Sequence, residues 1–228
     1  MSTHHHGHQH GQPGTAESED PSVRWTAQFW DERYGSMPSL WSGHVNAIVR
    51  TEAQALSPGT ALDVGCGEGG DALWLAARGW QVEGVDVSQV ALDRAARHAA
   101  EAGAEIDGRL TWTRRDLMTW RPPRETYDLV TVSFMHLPGG DRREVYAALA
   151  DSVAVGGTFL VGAHSPLDIG VVPRPDDPDL YFTAEDLATG LDDRWEIVTS
   201  EERPRPGTHP DGGDVTLHDT VLRARRPR

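Results

Sequence analysis

A short apolar strand that runs straight into closely spaced glycines constrains the fold of this chain most tightly. The strand covers residues 61–64, and a second strand ends at Asp86, 21 residues after the first glycine. The glycines have the spacing G-x-G-x-x-G: Gly65, Gly67 and Gly70. Glycines let the backbone approach a ligand, and an acid at the tip of the second strand accepts hydrogen bonds from ribose hydroxyls. The pattern therefore predicts a site for an adenosine-type ligand at the carboxyl edge of a parallel sheet.

Strands and helices alternate along most of the chain, which predicts right-handed βαβ units and a doubly wound parallel sheet of the α/β class. The predicted strands cover residues 61–64, 81–85, 110–114, 127–133, 158–161, 195–199 and 215–223. The predicted helices cover residues 43–56, 71–78, 88–102, 141–152 and 183–191. A loop rich in proline, glycine and aspartate, residues 201–213, joins the last two strands without a helix. We therefore expect these two strands to be antiparallel.

The first 22 residues differ in composition from the rest of the chain. They contain almost no apolar side chains and cannot offset the entropy of ordering, so we predict a disordered tail over residues 1–22 and one folded domain over residues 23–228. The tail carries five histidines: His4, His5, His6, His8 and His10. Three interpretations stay open: an expression tag, a native tail without a role, or a weak metal-binding tail, because imidazole binds zinc, nickel and copper. No metal site is predicted within the domain.

The charged residues exclude several classes of protein. The formal net charge is −14, whereas nucleic-acid binding needs a clustered positive field, so we predict no nucleic-acid partner. All 21 basic residues are arginines. The lack of lysine excludes a P-loop, a pyridoxal-phosphate enzyme and a protein kinase, because each of them needs a lysine.

We expect a cytoplasmic protein without a membrane partner. The longest apolar runs are far shorter than the roughly 20 residues of a membrane span, and the N-terminus lacks the apolar region of a secretory signal. The single cysteine, Cys66, excludes an intrachain disulfide and fits a reducing compartment.

Two classes of cofactor fit the glycine pattern: a nicotinamide dinucleotide and S-adenosylmethionine. Asp63 lies inside the motif, two residues before the first glycine. A carboxylate at this place would repel a pyrophosphate but would suit the ammonium end of a methionine moiety. The chain also lacks a Tyr-x-x-x-Lys pair. These features favour S-adenosylmethionine.

Five segments in order resemble motifs of class I S-adenosylmethionine-dependent methyltransferases. They cover residues 62–69, 85–88, 115–117, 127–130 with 133–134, and 156–159, and the resemblance extends over about residues 24–225. It implies a seven-stranded Rossmann-like sheet of order 3-2-1-4-5-7-6 with the last strand antiparallel. It also implies S-adenosylmethionine as methyl donor and S-adenosylhomocysteine as product. Residues 29–34 resemble the tellurite-resistance and thiopurine methyltransferase-like branch, in which an N-terminal helical segment closes over the cofactor.

The resemblance assigns cofactor-binding positions residue by residue. The candidates are Asp63, Gly65, Cys66, Gly67 and Gly70 in the glycine loop, Asp86 and Val87 after the second strand, Asp116 and Leu117 after the third, and Ser133 after the fourth. We interpret Cys66 as a small loop residue and not as a nucleophile. Tyr34 and Trp41 are candidate lid residues, because a sulfonium favours aromatic faces.

Two histidines follow strands at the edge where the methyl group is expected. His136 comes after the fourth strand and His164 after the fifth, so both are candidate general bases for an oxygen or nitrogen acceptor. A thiol or chalcogen acceptor would hardly need a base. Residues 166–182 are expected to form part of the acceptor pocket. The acids of this loop, Asp168, Asp176, Asp177 and Asp179, are expected to disfavour anionic acceptors.

The leading functional hypothesis is an enzyme that methylates a small molecule in line from S-adenosylmethionine, with a sulfur or chalcogen atom or an oxygen as the favoured acceptor. One alternative is an NAD(P)-dependent reductase, which begins with the same fold. Another is a metal- or metalloid-handling protein that uses the histidine-rich tail. The oligomeric state stays open.

Overall fold

A seven-stranded sheet organises the structure, a computed structural model that describes residues 26–40, 43–175 and 177–228. The strands are β1 (Thr60–Val64), β2 (Gln81–Asp86), β3 (Leu110–Arg114), β4 (Tyr127–Ser133), β5 (Val153–His164), β6 (Glu196–Thr208) and β7 (Asp214–Arg225). Their order in the sheet is β3-β2-β1-β4-β5-β7-β6. The first five strands pair in parallel, and β7 is antiparallel to both β5 and β6. This topology confirms the predicted fold class and strand order.

Helices cover both faces of the sheet. They are α1 (Ala27–Gly35), α2 (Ala47–Ala53), α3 (Gly70–Ala76), α4 (Gln89–Ala102), α5 (Ala104–Asp107), α6 (Gly139–Asp151) and α7 (Ala184–Thr189). Neighbouring residues of β4 point to opposite faces: Leu129 joins the core cluster that contains Leu75 of α3, and Val130 joins the cluster that contains Leu149 of α6. Both faces are buried, which explains the continuous apolar run of this strand. None of the helices in the described ranges is long and apolar enough to cross a bilayer.

The prediction of a loop over residues 201–213 is wrong for its first eight residues. Residues 201–208 belong to β6, and the turn between β6 and β7 is shorter than predicted. Pro204 and Pro206 misled the prediction, because proline normally interrupts a sheet. They are tolerated here because β6 is the edge strand and needs hydrogen bonds on one side only. The strand β5 also begins earlier than predicted, and Gly156 with a φ of +89° lies within it.

The predicted tail, residues 1–22, lies outside the described residues, and so do its five histidines. The domain boundary at residue 23 therefore stays a prediction. The described chain begins at Thr26, which caps α1 by accepting a hydrogen bond from the backbone of Phe29.

Candidate active site

The glycine loop turns the chain sharply between β1 and α3. Three of its glycines have left-handed backbone angles: Gly65, Gly67 and Gly69, with φ of +66°, +53° and +87°. Such angles are unfavourable for other residues. The amide of Gly65 donates to the carbonyl of Val85 at 2.9 Å, which ties the loop to β2. Gly70 is needed for a different reason: a Cβ atom there would lie 2.8 Å from the carbonyl oxygen of His44.

Asp86 ends β2 beside this loop, as predicted. Its Oδ2 accepts from the amide of Gly67 and its Oδ1 from the amide of Ser88, each at 2.9 Å. Burial raises the pKa of Asp86, and these amide hydrogen bonds act in the opposite direction. A carboxylate oxygen can accept more than one hydrogen bond, so both oxygens can still receive ribose hydroxyls.

A pair of buried carboxylates lies at the end of β1. Asp63 is 2% exposed, and its Oδ2 has no hydrogen-bond partner among the described residues. Burial raises the pKa of Asp63 well above its usual value, and the nearby Asp71 raises it further. Asp71 accepts from the amide of Asn46 at 2.6 Å and from the hydroxyl of Ser133 at 2.8 Å. The unpartnered oxygen of Asp63 fits the ammonium group of a methionine moiety, whereas Ser133 contacts Asp71.

A buried ion pair that the sequence analysis missed holds the N-terminal segment against the glycine loop. Glu68, 2% exposed, accepts from Arg94 at 2.7 Å and from the backbone amide of Leu40 at 3.2 Å. Arg94 also donates to the carbonyl oxygen of Tyr34 at 2.6 Å. One signal was present: Arg94 falls on the apolar stripe of α4, three residues after Ala91, where an arginine needs a buried partner.

Helix α1 covers the tip of β2. Asp31 accepts from the hydroxyl of Ser88 at 2.6 Å and from the amide of Val90 at 3.2 Å, so a side chain of α1 caps the start of α4. Tyr34 is 3% exposed and its ring lies 6.0 Å from that of Trp30. Tyr34 therefore lies in the segment predicted to act as a lid, and its contact with a cofactor stays a prediction. Trp41, the other predicted lid residue, lies outside the described residues.

The remaining predicted cofactor residues meet at the same edge. The amide of Arg115 donates to the carbonyl of Asp86 at 2.9 Å, which brings the segment after β3 next to β2. Within that segment Asp116 is exposed and Leu117 is half-buried. Val87 is half-buried, and its carbonyl accepts from Arg114. Burial raises the pKa of the Cys66 thiol, which agrees with a loop residue that is not a nucleophile.

The structure brings the two predicted histidines into direct contact. The rings of His136 and His164 stack with their centroids 5.3 Å apart and their planes 15° from parallel. The Nδ1 of His136 lies 3.1 Å from the carbonyl of Leu180 and donates to it, because a carbonyl can only accept. Its Nε2 then carries the lone pair, and this atom is buried without a partner in the described chain.

Both rings are neutral at neutral pH. Burial is the main cause that lowers the pKa of each, and it lowers that of His164 to about 2. His164 Nδ1 lies 4.0 Å from Oδ1 of Asp219, and neither atom has a hydrogen-bond partner among the described residues. Phe134 and Tyr181 line the pair, with ring centroids 4.6 Å from His164 and 5.6 Å from His136 respectively. The two neutral rings therefore lie in an aromatic cluster, and Nε2 of His136 can act as a base.

The predicted acidic wall of this pocket is not formed by the described acids of the loop. Asp168 is 1% exposed and accepts from both the amide and the ring Nδ1 of His218, at 2.8 and 3.0 Å. Asp179 accepts from the amide of Gly139, and Asp177 accepts from the amide of Asp179. These carboxylates hold the loop together. Asp176 lies outside the described residues.

Comparison with known proteins agrees with this arrangement. Residues 61–157 match the family described as a methyltransferase domain. A ubiquinone biosynthesis O-methyltransferase from Nitrosomonas europaea is 41% identical over 104 residues, which cover 45% of this chain and 42% of that protein. The chain covers between 16% and 59% of the length of the curated relatives that it matches.

Two solved structures share the fold. The first comes from work on the conversion of a disulfide bond into a thioacetal group during echinomycin biosynthesis; it has a TM-score of 0.68 and 26% identity, and the match covers 88% of this chain and 91% of that chain. The second is TehB from Haemophilus influenzae, with a TM-score of 0.65, 20% identity and coverage of 88% and 66%.

The strand order, the glycine loop and the acid at the tip of β2 define a class I, Rossmann-like methyltransferase domain. Residues 61–157 match the methyltransferase-domain family, and the fold around them is that of class I S-adenosylmethionine-dependent methyltransferases. The narrower tellurite-resistance branch stays a prediction, because the likeness to TehB shows the fold alone.

Replacement of Arg94 by methionine is expected to loosen the N-terminal segment. The Arg94→Met variant leaves Glu68 buried without its cation, which costs about 3–5 kcal/mol of the free energy of unfolding. Urea denaturation measures this loss. The matched control is Arg97→Met, three residues along the same helix and exposed, which should change the stability by less than about 0.5 kcal/mol. The double variant Arg94→Met, Glu68→Gln should regain part of the loss, and equal stability of Arg94→Met and the control would contradict this account.

Replacement of Asp63 by asparagine is expected to stabilise the protein and to weaken cofactor binding. The raised pKa of Asp63 means that the folded state binds its proton more tightly, so its contribution to stability is present at low pH and is lost as the pH rises. Asp63→Asn should therefore raise the melting temperature at pH 7.5 and have a smaller effect at pH 4.5. Calorimetry should show weaker binding of S-adenosylhomocysteine, and Asp93→Asn, on the exposed face of α4, is the control. A lower melting temperature at pH 7.5 would contradict the assignment.

Proposed function

We propose that the protein transfers the methyl group of S-adenosylmethionine to an oxygen or sulfur atom of a small molecule, and that His136 accepts the proton of a hydroxyl acceptor. The observation that carries this proposal is the buried Nε2 of a neutral His136 at the carboxyl edge of the sheet, for which the described residues offer no hydrogen-bond partner. The cofactor loop is close by: a Cβ atom on Gly65 would lie 3.8 Å from the sulfur of Met135, the residue next to His136.

Different residues at and around the glycine loop would bind different parts of the cofactor. When bound, S-adenosylmethionine supplies an electrophilic methyl group on a sulfonium with a neutral leaving group, so the protein mainly has to align the reactants. Asp86 would accept hydrogen bonds from the ribose hydroxyls, and Asp63 would hold the ammonium group. The aromatic ring of Tyr34 and the segment after β3, with Asp116 and Leu117, are the proposed contacts of the remaining parts of the cofactor.

The two histidines have different proposed roles at the acceptor side. The hydrogen bond to Leu180 fixes the tautomer and the orientation of His136, so that Nε2 can take a proton. His164 stacks against this ring and is itself backed by Asp219. A proton moved to His136 would create a cation in a buried site, and the carboxylate of Asp219 near the stacked pair would offset that charge.

The comparisons support oxygen and sulfur as acceptor atoms. One relative is named an O-methyltransferase, and one structural neighbour comes from work on a disulfide that becomes a thioacetal. Methylation of a chalcogen atom heavier than sulfur and a cytoplasmic location stay predictions. The histidine-rich tail, with its alternative role in binding metals or metalloids, lies outside the described residues.

Calorimetric titration tests the proposed cofactor. We expect S-adenosylmethionine and S-adenosylhomocysteine to bind and NADH not to bind, which would also exclude the reductase alternative. Asp86→Ala removes hydrogen bonds to a charged group, which contribute about 1.5–3 kcal/mol, so binding should weaken roughly 10- to 150-fold. The control is Asp93→Ala, an exposed acid of α4. Tight binding of NADH, or unchanged binding in Asp86→Ala, would overturn the proposed cofactor site.

The His136→Ala variant tests the proposed base. Loss of a general base should lower kcat for catechol about 10²- to 10⁴-fold at pH 7. The rate with thiophenol should change little, because this acceptor is already ionised. Because the pKa of His136 is lowered, methylation of catechol by the unaltered protein should decline only at acidic pH. His209→Ala, in the remote β6–β7 turn, is the control. An equal loss with both acceptors would assign His136 a structural role.

A further inference from the structure

The loop that follows β5 carries an arginine that has no partner among the described residues. Arg174 is half-buried, and its Nε is cut off from solvent without a hydrogen bond to any described residue. No ion pair to Arg174 occurs within residues 26–40, 43–175 and 177–228 either. A guanidinium nitrogen that has lost its water and gained no partner is unfavourable, so a ligand that restores a hydrogen bond would be favoured.

Two anchors place Arg174 beside the histidine pair. On one side of it, the buried Asp168 ties the loop to His218 of β7. On the other side, the hydroxyl of Tyr181 donates to the carbonyl of Pro175 at 3.1 Å, and the ring of Tyr181 packs against His136. The charge of Arg174 accordingly contributes to the lowered pKa of both His136 and His164.

The acids near Arg174 already have partners. Asp168 accepts two hydrogen bonds from His218, and Asp219 accepts one from Nε of Arg205 at 2.9 Å. The free oxygen of Asp219 faces His164. Each of these two carboxylates therefore has a basic side chain as partner, whereas Arg174 has no acidic partner within the described chain. A guanidinium in this state suits a carboxylate, which it can bind with two parallel hydrogen bonds.

We propose that Arg174 binds a carboxylate on the methyl acceptor and thereby selects acceptors that place their nucleophile at His136. This inference rests on the proposed function and adds the class of acceptor. The acidic composition of the loop predicts that anionic acceptors are disfavoured, and the proposal reverses this expectation. The described acids of the loop form hydrogen bonds within the protein, whereas Arg174 has no partner among the described residues. A bound carboxylate would also offset the positive charge of Arg174, which raises the basicity of His136 when an acceptor is present.

Matched pairs of acceptors test the proposal. The first pair is 3,4-dihydroxybenzoate and 3,4-dihydroxybenzamide, and the second is 4-mercaptobenzoate and 4-mercaptobenzamide. We expect the unaltered protein to prefer the carboxylate of each pair at least tenfold in kcat/KM, mainly through KM. Arg174→Met should abolish this preference, so that the acid and the amide of each pair react alike, and Arg174→Lys should retain part of it. Arg143→Met, an exposed arginine of α6, is the control, and melting curves establish that every variant is folded.

A binding measurement without turnover separates this inference from the proposed function. The four compounds are titrated by calorimetry into the protein saturated with S-adenosylhomocysteine. Binding of the carboxylates that is lost in Arg174→Met, without methyl transfer, would support the carboxylate site and refute the proposed reaction. Equal methylation of acids and amides by the unaltered protein would support the reaction and overturn the carboxylate site. Absence of carboxylate binding, or binding that Arg174→Met does not change, would also overturn it.

Discussion

The buried ion pair between Glu68 and Arg94 holds together the parts on which the cofactor site depends. Glu68 belongs to the glycine loop, Arg94 to α4, and their hydrogen bonds extend to Leu40 and Tyr34 of the N-terminal segment. A charge in a core is tolerated only with a partner, so neither residue can move without the other. The ion pair therefore holds the glycine loop and the N-terminal segment together at this edge of the sheet. The same contact places α1 over the tip of β2.

The carboxylates of the cofactor site are arranged for binding and not for stability. Asp63 and Asp71 lie near each other in the interior, and burial raises the pKa of both. Such an arrangement destabilises the folded protein at neutral pH. It is useful if a cation completes the site, and the ammonium group of the cofactor is that cation in the proposed function. Binding of the cofactor should then contribute to stability as well as to chemistry.

On the acceptor side the charges are reversed: a cation, and not a carboxylate, is available to a ligand. The stacked rings of His136 and His164 are neutral, and the described acids of the neighbouring loop bond within the protein. Arg174 has no partner in the part of the chain that the structure describes. In the proposed function, this site would combine a base with a cation that attracts a carboxylate. Both groups come from the carboxyl ends of strands or from the loop that follows, the usual place for ligands in a doubly wound sheet. The donor and the acceptor would meet across Gly65 and Met135.

Local patterns in the sequence determined the fold and predicted one edge of the candidate site. Strand and helix alternation predicts a doubly wound parallel sheet with an antiparallel last pair, and the family resemblance implies its strand order. The spacing from Gly65 to Asp86 predicts the cofactor edge, because these features depend on neighbours along the chain. Prolines in an edge strand misled the prediction of β6, since only the sheet shows that the strand has one free side. Tertiary structure alone decided the stacking of His136 on His164, the burial of Glu68 against Arg94 and the isolation of Arg174. Each of these features depends on side chains that are distant in sequence. Only folding brings these side chains together and buries them, and burial then decides which of them are charged.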